Sequence, residues 1–447
     1  MQALTAIFDI GKTNKKFLLF DEGFRIVKEV SIHPDDSADE DGFPCEDLPR
    51  LMSWMQQTWD EARRTPDYQI RSLNFTTYGA SFVHLDADGH PVAPLYNYLK
   101  PLPPDVRDQF YADYGPADQL ARETASPALD LLNSGLQLYW LKQARPDVFA
   151  QIHISLHLPQ FCSFLFTGHQ ASELTSIGCH TALWDYDQNT YHRWVNAEGI
   201  APLFPPLALG TKRLELEGGL IAGVGLHDSS ASLVPYLKTI EEPFLLISTG
   251  TWSITMNPFS DDPLTPELLA QDCLNFLTYE GKTVRASRLF LGYEHESRVK
   301  QLEADFHQKP DSYKWVRFNP TYLKPAAQPK AVQTSVLSET EEEQPPTPAT
   351  FEEAYHQLVM ELVALQLHAL QLAQGTTVAR KVIVTGGFCH NEIFLKGLAS
   401  LLPDQEVYIS DLPHATAIGA ALVLQETLSP EVRAAITPLT KIEKLAL

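Results

Sequence analysis

The chain has 447 residues, with 34 Lys and Arg against 56 Asp and Glu and a net charge of −22, a length that at roughly 100–200 residues per domain accommodates two to four domains. Hydrophobic residues at 44% and charged residues at 20% are those of a folding globular chain. So acidic a balance disfavours a nucleic-acid binder or an anionic-membrane binder, since both need a broad cationic surface. Five cysteines, at 45, 162, 179, 273 and 389, form no CxxC pair, which fits a reducing compartment and neither a zinc site nor a disulfide framework. The lysines follow the first apolar stretch, the reverse of a signal peptide, and no run of about 18 apolar residues occurs. A cytoplasmic protein is expected.

Taken in chain order, AIFDIGKTNKKFLLFD from Ala6 to Asp21 reads as a β-hairpin with a glycine-centred turn. Gly11-Lys12-Thr13 resembles part of a P-loop, but that motif needs a further glycine five positions earlier, where Ala6 stands; Phe276 fails the same test for Gly281-Lys282-Thr283. The turn still suits phosphate: Gly11 allows close backbone approach, Thr13 and Asn14 supply donors, and Lys12, Lys15 and Lys16 concentrate positive charge. An exposed tip with solvated lysines is the competing reading. Asp9 beside phosphates makes sense where it faces Mg²⁺ or its waters. Residues 33–47, acidic and turn-rich, read as a mobile surface loop.

In GVGLHDSSASL, residues 223–233, paired glycines set Asp228 on a tight turn before a helix. Asp228 there is either an N-cap or a general base, and His227 either a packed residue or a contact for a sugar hydroxyl. Residues 244–257, FLLISTGTWSITMN, repeat the hairpin pattern with Thr249, Gly250 and Thr251 at the turn, and Gly250 falls 239 positions after Gly11, about half the chain. Two similar halves follow, and two such tips could clasp a polyphosphate between them. Residues 324–349, rich in Pro, Glu and small polar residues, read as an insertion.

Thr350 and Glu353 form a capping-box signature before a long helix ending at Gly375, and strand, helix, strand and helix follow, an α/β layer pattern. The strand KVIVTGG runs into a turn where Gly386 and Gly387 either leave room for a flat ligand such as adenine or only join strand to helix, and Asn391 either binds a ligand or caps the next helix.

Four segments in order, DIGKTNKKFLLFD, GLHDSSASLV, ISTGTWSI and VTGGFCHNEIFLKGLA with HATAIGAAL, together resemble the FGGY carbohydrate kinases. The resemblance implies an α/β fold of two actin-like, ribonuclease H-like domains, 1–238 and 239–447, with nucleotide and sugar in the cleft between them. It implies that Asp228 deprotonates a sugar hydroxyl for attack on the γ-phosphate of ATP, and that Asp9 orients hydrated Mg²⁺. Gly11, Thr13, Asn14 and Lys16 on one side and Thr249, Gly250 and Thr251 on the other would surround the phosphates, with Lys12 directed either at ATP or at solvent. Gly386, Gly387 and Asn391 would line the adenosine pocket.

Within that family HDSSAS and STGTWS are most similar to the rhamnulokinase and fuculokinase branch. TTYGASFVHLDADG, residues 76–89, resembles a sugar-contacting segment and nominates Thr77, Tyr78 and Gly79 beside His227 and Asp228. Lys12, Tyr279 and Gln160 depart from the branch's pattern. The expected activity is ATP-dependent phosphorylation of a ketose such as L-rhamnulose or L-fuculose. A pentulose or polyol kinase is the alternative, and a non-catalytic actin-like nucleotide-binding protein the alternative of another class. The partners expected are the sugar and ATP, with no nucleic acid and no membrane; a homodimer is the assembly considered.

Overall fold

A computed structural model describes residues 2–322 and 348–445. The insertion expected at 324–349 therefore lies outside the described residues, apart from residues 348 and 349.

The first half opens with β1 (Gln2–Ile10) and β2 (Lys15–Phe20), an antiparallel hairpin with Phe8 opposite Phe17 and Asp9 opposite Lys16. β3 (Ile26–Ile32) extends it. Helix α1 (Leu48–Arg64) starts where the Asp47 carboxylate accepts the amide of Arg50 at 3.0 Å, satisfying one of the four free donors of a helix start. The crossover returns the chain as β4 (Tyr68–Thr77), parallel to β1 with Asp9 opposite Thr76 and Ile10 opposite Thr77. Two later strands, β5 (Arg213–Leu216) and β6 (Leu220–Gly223), extend the sheet to the order β5-β6-β4-β1-β2-β3, and Leu226–His227 pairs parallel with the end of β4. The long connection from β4 to β5 folds around buried aromatics that include Phe110, Tyr139 and Trp194.

Helix α2 (Asp228–Thr239) leads into the second half. There β7 (Phe244–Thr249) and β8 (Ser253–Asn257) form the second hairpin, followed by β9 (Cys273–Leu277) and β10 (Thr283–Leu289). Helix α3 (Phe351–Gln374) crosses to β11 (Lys381–Gly386), parallel to β7; α4 (Glu392–Ser400) leads to β12 (Glu406–Ile409), and α5 (Ala415–Leu422) and β13 (Thr440–Lys441) close the half. The sheet order is β9-β10-β8-β7-β11-β12-β13. The run β2-β1-β4-β6 in one half and β8-β7-β11-β12 in the other therefore share one plan, a hairpin continued by parallel strands, as the spacing of the two glycine turns predicts. Thr350 caps α3 as expected, its hydroxyl accepting the Glu353 amide at 3.2 Å.

Helix α5 comes late in the chain yet packs on the first half. Ile7, Leu18 and Phe20 share a buried cluster with Ala417, Ile418 and Ala421, and the Asn74 amide donates to the Ala420 carbonyl at 2.7 Å. Gly419 permits the close crossing with α2, since a β-carbon there would lie 1.9 Å from the Ala231 carbonyl oxygen.

The segment 33–47 departs from expectation. It carries a short strand pair, Ser37–Ala38 with Pro44–Cys45, and buries Asp39, Cys45 and Glu46. Two lysines from elsewhere draw its carboxylates inward: Lys100 reaches Asp39 at 2.5 Å and Lys15 reaches Glu46 at 2.8 Å. An ion pair removed from water holds only when both partners are present, and sequence composition does not show partners that distant.

Candidate active site

The first glycine turn is closed by the Gly11 amide donating to the Asn14 carbonyl at 2.9 Å. Thr13 is exposed at its tip, while the Asn14 side-chain oxygen is buried without a partner among the described residues. The three lysines separate. Lys15 turns inward, 1% exposed, donating to the carbonyls of Gly11 and Lys12 at 3.0 and 2.8 Å and to Glu46. Its charge is spent on the fold and does not add to the positive field expected at the turn. Lys12 lies 3.8 Å from Asp36 and 5.7 Å from the centre of the Tyr78 ring. Lys16 remains in the cleft.

Asp9 lies at the end of β1, next to the turn, and its carboxylate accepts the Thr416 hydroxyl at 2.8 Å. Burial pushes its pKa up to about 6; the Thr416 bond and Lys16 work against that rise, and the charge of Asp228 adds to it. Asp228 is thus near enough for its charge to act on Asp9.

Asp228 begins α2 on a turn fixed from several sides. Gly225 has φ +83°, and a β-carbon there would stand 2.4 Å from the Pro159 carbonyl oxygen, so only glycine fits. Its amide donates to Asn74 at 3.1 Å, and its carbonyl accepts the Gln160 amide at 3.1 Å. Gln160, one of the departures from the resembled pattern, thus braces the turn. One Asp228 oxygen, Oδ1, accepts the Ser229 amide at 2.6 Å and lies 3.3 Å from Nε2 of His227. The other, Oδ2, has no hydrogen-bond partner among the described residues. Burial holds His227 below the usual imidazole pKa, against the pull of Asp228. Its Nε2 makes a hydrogen-bond contact with the Cys179 Sγ at 3.4 Å, and its Nδ1 is buried without a partner among the described residues.

Gly79 accounts for the space His227 occupies, because a β-carbon at 79 would lie 2.8 Å from the imidazole. The other two residues nominated with it for the sugar are engaged by the protein: the Thr77 hydroxyl donates to the Tyr78 carbonyl at 2.8 Å, and the Tyr78 hydroxyl to Glu46 at 3.3 Å. Tyr279, a further departure, packs in the apolar cluster beneath α5, with Lys238 over its ring at 5.6 Å.

The second and third glycine turns interlock. The Thr249 hydroxyl donates to the Thr385 carbonyl at 2.5 Å and accepts the Phe388 amide at 3.0 Å. Gly250 and Thr251 are exposed beside them. Two cavities of about 560 Å³ each meet at the glycine pair. Gly386 lines the first with Asp9, Lys16, Ser248, His414 and Thr416, and Gly387 lines the second with Gly250, Asn391, His295, Tyr313 and Tyr355. Asn391 caps α4, accepting the Phe394 amide at 3.0 Å, and also donates to the Tyr355 hydroxyl at 3.0 Å. Sequence reasoning missed Thr416, His414, Tyr313 and Tyr355. The first two lie in HATAIGAAL, where a polar pair preceding an apolar helix was the available signal.

A polar cavity between two glycine hairpins, two carboxylates in electrostatic contact and an aromatic-walled cavity beyond define a two-domain actin-like phosphotransferase. Residues 4–213 match the model of the FGGY family of carbohydrate kinases, N-terminal domain, and residues 241–432 that of carbohydrate kinase FGGY, C-terminal domain. The chain belongs to the FGGY family of carbohydrate kinases, and it transfers a phosphoryl group to a hydroxyl acceptor.

A rhamnulokinase of Halalkalibacterium halodurans is 24% identical over 440 residues, covering 92% of this chain and 88% of that protein. A rhamnulokinase of Bacteroides thetaiotaomicron is 26% identical over 235 residues, 49% of this chain and 46% of its own. Among solved structures, a carbohydrate kinase from Novosphingobium aromaticivorans superposes with TM-score 0.81 at 25% identity, covering 99% of this chain and 96% of that one. A xylulose kinase from Lactobacillus acidophilus, at TM-score 0.74, 15% identity and 98% and 93% coverage, shares the fold. No helix among the described residues is long and apolar enough to cross a membrane.

Proposed function

We propose that this kinase transfers the γ-phosphoryl group of Mg-ATP to a hydroxyl of a ketose, with the 6-deoxyketohexoses L-rhamnulose and L-fuculose as the first acceptors to test. The observation that carries the reading is Asp228: one oxygen is anchored by the Ser229 amide, the other has no hydrogen-bond partner among the described residues, and the charge of the group acts on Asp9. A carboxylate so held takes the proton of an attacking hydroxyl, and positioning with charge neutralisation supplies the rest of the catalysis. In this reading residues 1–238 carry the sugar site, the first phosphate turn and the base, and residues 239–447 carry the second phosphate turn and the adenosine cavity.

Asp9 fits a divalent cation by its chemistry. Its carboxylate is buried and feels the charge of Asp228, a placement that a cation would relieve and that, among the described residues, the Thr416 hydroxyl and Lys16 offset. Mg²⁺ bound there would neutralise the phosphate oxygens. The residues of the chain then do the rest: Lys16, Asn14 and the exposed Gly250 and Thr251 hold the phosphates, Gly386 and Gly387 let the nucleotide approach the backbone, and the Ser229 amide orients Asp228.

The similarity to rhamnulokinases across most of the chain supports the deoxyketose. Tyr279 supports retaining the pentulose alternative, because its ring is buried in an apolar cluster and offers the cleft no amide. A panel of ketoses and polyols, read by sugar-dependent ADP release, decides between them, and no turnover above the ATPase background with any of them would overturn the kinase assignment to ketoses. Asp228→Asn should retain ATP binding and lower kcat by about 10²–10⁴-fold. Wild-type turnover in that variant would remove Asp228 as the base.

A further inference from the structure

His414 immediately precedes α5 with φ +56° and ψ +35°, a left-handed backbone uncommon outside glycine, with Asn, Asp and His the usual exceptions. Strain of this kind persists only where the surroundings fix it. The residue lines the cavity it shares with Asp9, Lys16 and Ser248. Its Nδ1 lies 3.5 Å from Nζ of Lys16 and its Nε2 lies 3.7 Å from Oε2 of Glu29, while the other oxygen of Glu29 is 3.5 Å from the same ammonium.

These neighbours select a tautomer. An ammonium only donates and a carboxylate only accepts, so a neutral imidazole between them carries its lone pair on Nδ1, toward Lys16, and its hydrogen on Nε2, toward Glu29. Burial first, and then the charge of Lys16, hold the ring below the usual imidazole pKa, against the pull of Glu29.

We propose that His414 is a positioning residue of the phosphate cradle, its Nδ1 holding the Lys16 ammonium at the wall of the interdomain cavity so that the remaining N–H groups of Lys16 address the nucleotide phosphates. The inference rests on Lys16 being a phosphate ligand, as proposed above. A lysine side chain has a flexible four-carbon stem, and Glu29 alone would draw this one toward the outer strand β3 and away from the cleft. The same turn serves the opposite charge. Two residues on, Thr416 donates to Asp9 at 2.8 Å, so a single backbone conformation at the start of α5 sets both the cation and the carboxylate of the first hairpin.

Glycine and asparagine both accept a left-handed backbone, so two variants separate the ring from the turn. His414→Gly should melt at or above the wild-type temperature and raise the KM for ATP about tenfold, the equivalent of one charge-assisted hydrogen bond, with kcat and the KM for sugar within about twofold. His414→Asn, which restores an acceptor and a donor, should recover most of that loss. In a Lys16→Met background, His414→Gly should add nothing further. If Lys16→Met raises the KM for ATP while His414→Gly leaves it within twofold of wild type, or if the two effects multiply in the double variant, the positioning role is wrong. If Lys16→Met itself leaves the KM for ATP unchanged, the phosphate role of Lys16 fails, and this inference falls with it.

Discussion

At the first glycine hairpin the turn is held by charge. Lys15 lies beneath it, bound to the carbonyls of Gly11 and Lys12 and neutralised by Glu46, and Asp9 and Lys16 flank it on opposed strands. At the second hairpin no ion pair among the described residues holds the turn; the nearest charge is Arg288, over the Trp252 ring at 5.6 Å. Thr249 is bonded through its hydroxyl to the third turn, and glycines do the rest: a β-carbon at 386 would lie 1.9 Å from the Thr249 carbonyl oxygen, and one at 292 would lie 2.1 Å from that of Gly250. The same strand order thus presents two tips by different physics. The first tip responds to pH through Asp9, whereas the second is set by steric fit at its glycines.

The comparison can be broken first at its buried pair. Glu46→Gln leaves Lys15 charged and unpaired, and should cost about 3–5 kcal/mol of stability in urea unfolding. Lys15→Met/Glu46→Gln should recover much of it, and a mild effect of Glu46→Gln alone would show that the first turn does not depend on charge. At the second tip, Gly386→Ala meets both a φ of +82° and the Thr249 carbonyl. It should cost about 2–4 kcal/mol and raise the KM for ATP more than that for sugar. Equal loss of both, with stability unchanged, would place the strain elsewhere.

Asp9 gives a smaller and opposite effect. Its pKa is raised to about 6 in the folded protein, so the fold binds this proton more tightly than the unfolded chain does. The associated stability is complete below about pH 4 and is lost as the pH rises through about 6. Asp9→Asn should therefore melt higher than wild type without ligand at neutral pH, by about 1–2 kcal/mol, while abolishing turnover. The stability difference should vanish below about pH 4; a gap that persists there would mean that titration is not its cause. Lys12→Met should change stability by no more than about 0.5 kcal/mol, since its pairing with Asp36 is partly solvated. The KM for ATP in that variant decides between the two directions considered for Lys12.

The sequence by itself determined the class and the plan of the molecule. Apolar runs broken by glycine turns fixed both hairpins, and Thr350 with Glu353 fixed the start of α3, because these are local signals carried by neighbouring residues. The order of four segments was enough to indicate the family, which the matched models then established over both halves. What tertiary structure alone decided were the partners. Lys12, Lys15 and Lys16 are equivalent as a sequence. Only folding brings Glu46 under Lys15, 31 residues away, and His414 against Lys16, 398 residues away. The acidic stretch at 33–47 looked like a loop for the same reason, since the lysine that draws Asp39 inward is Lys100. Local pattern encodes strands, turns and helix starts; which charges are solvated and which are buried depends on contacts across the chain, and those exist only in the fold.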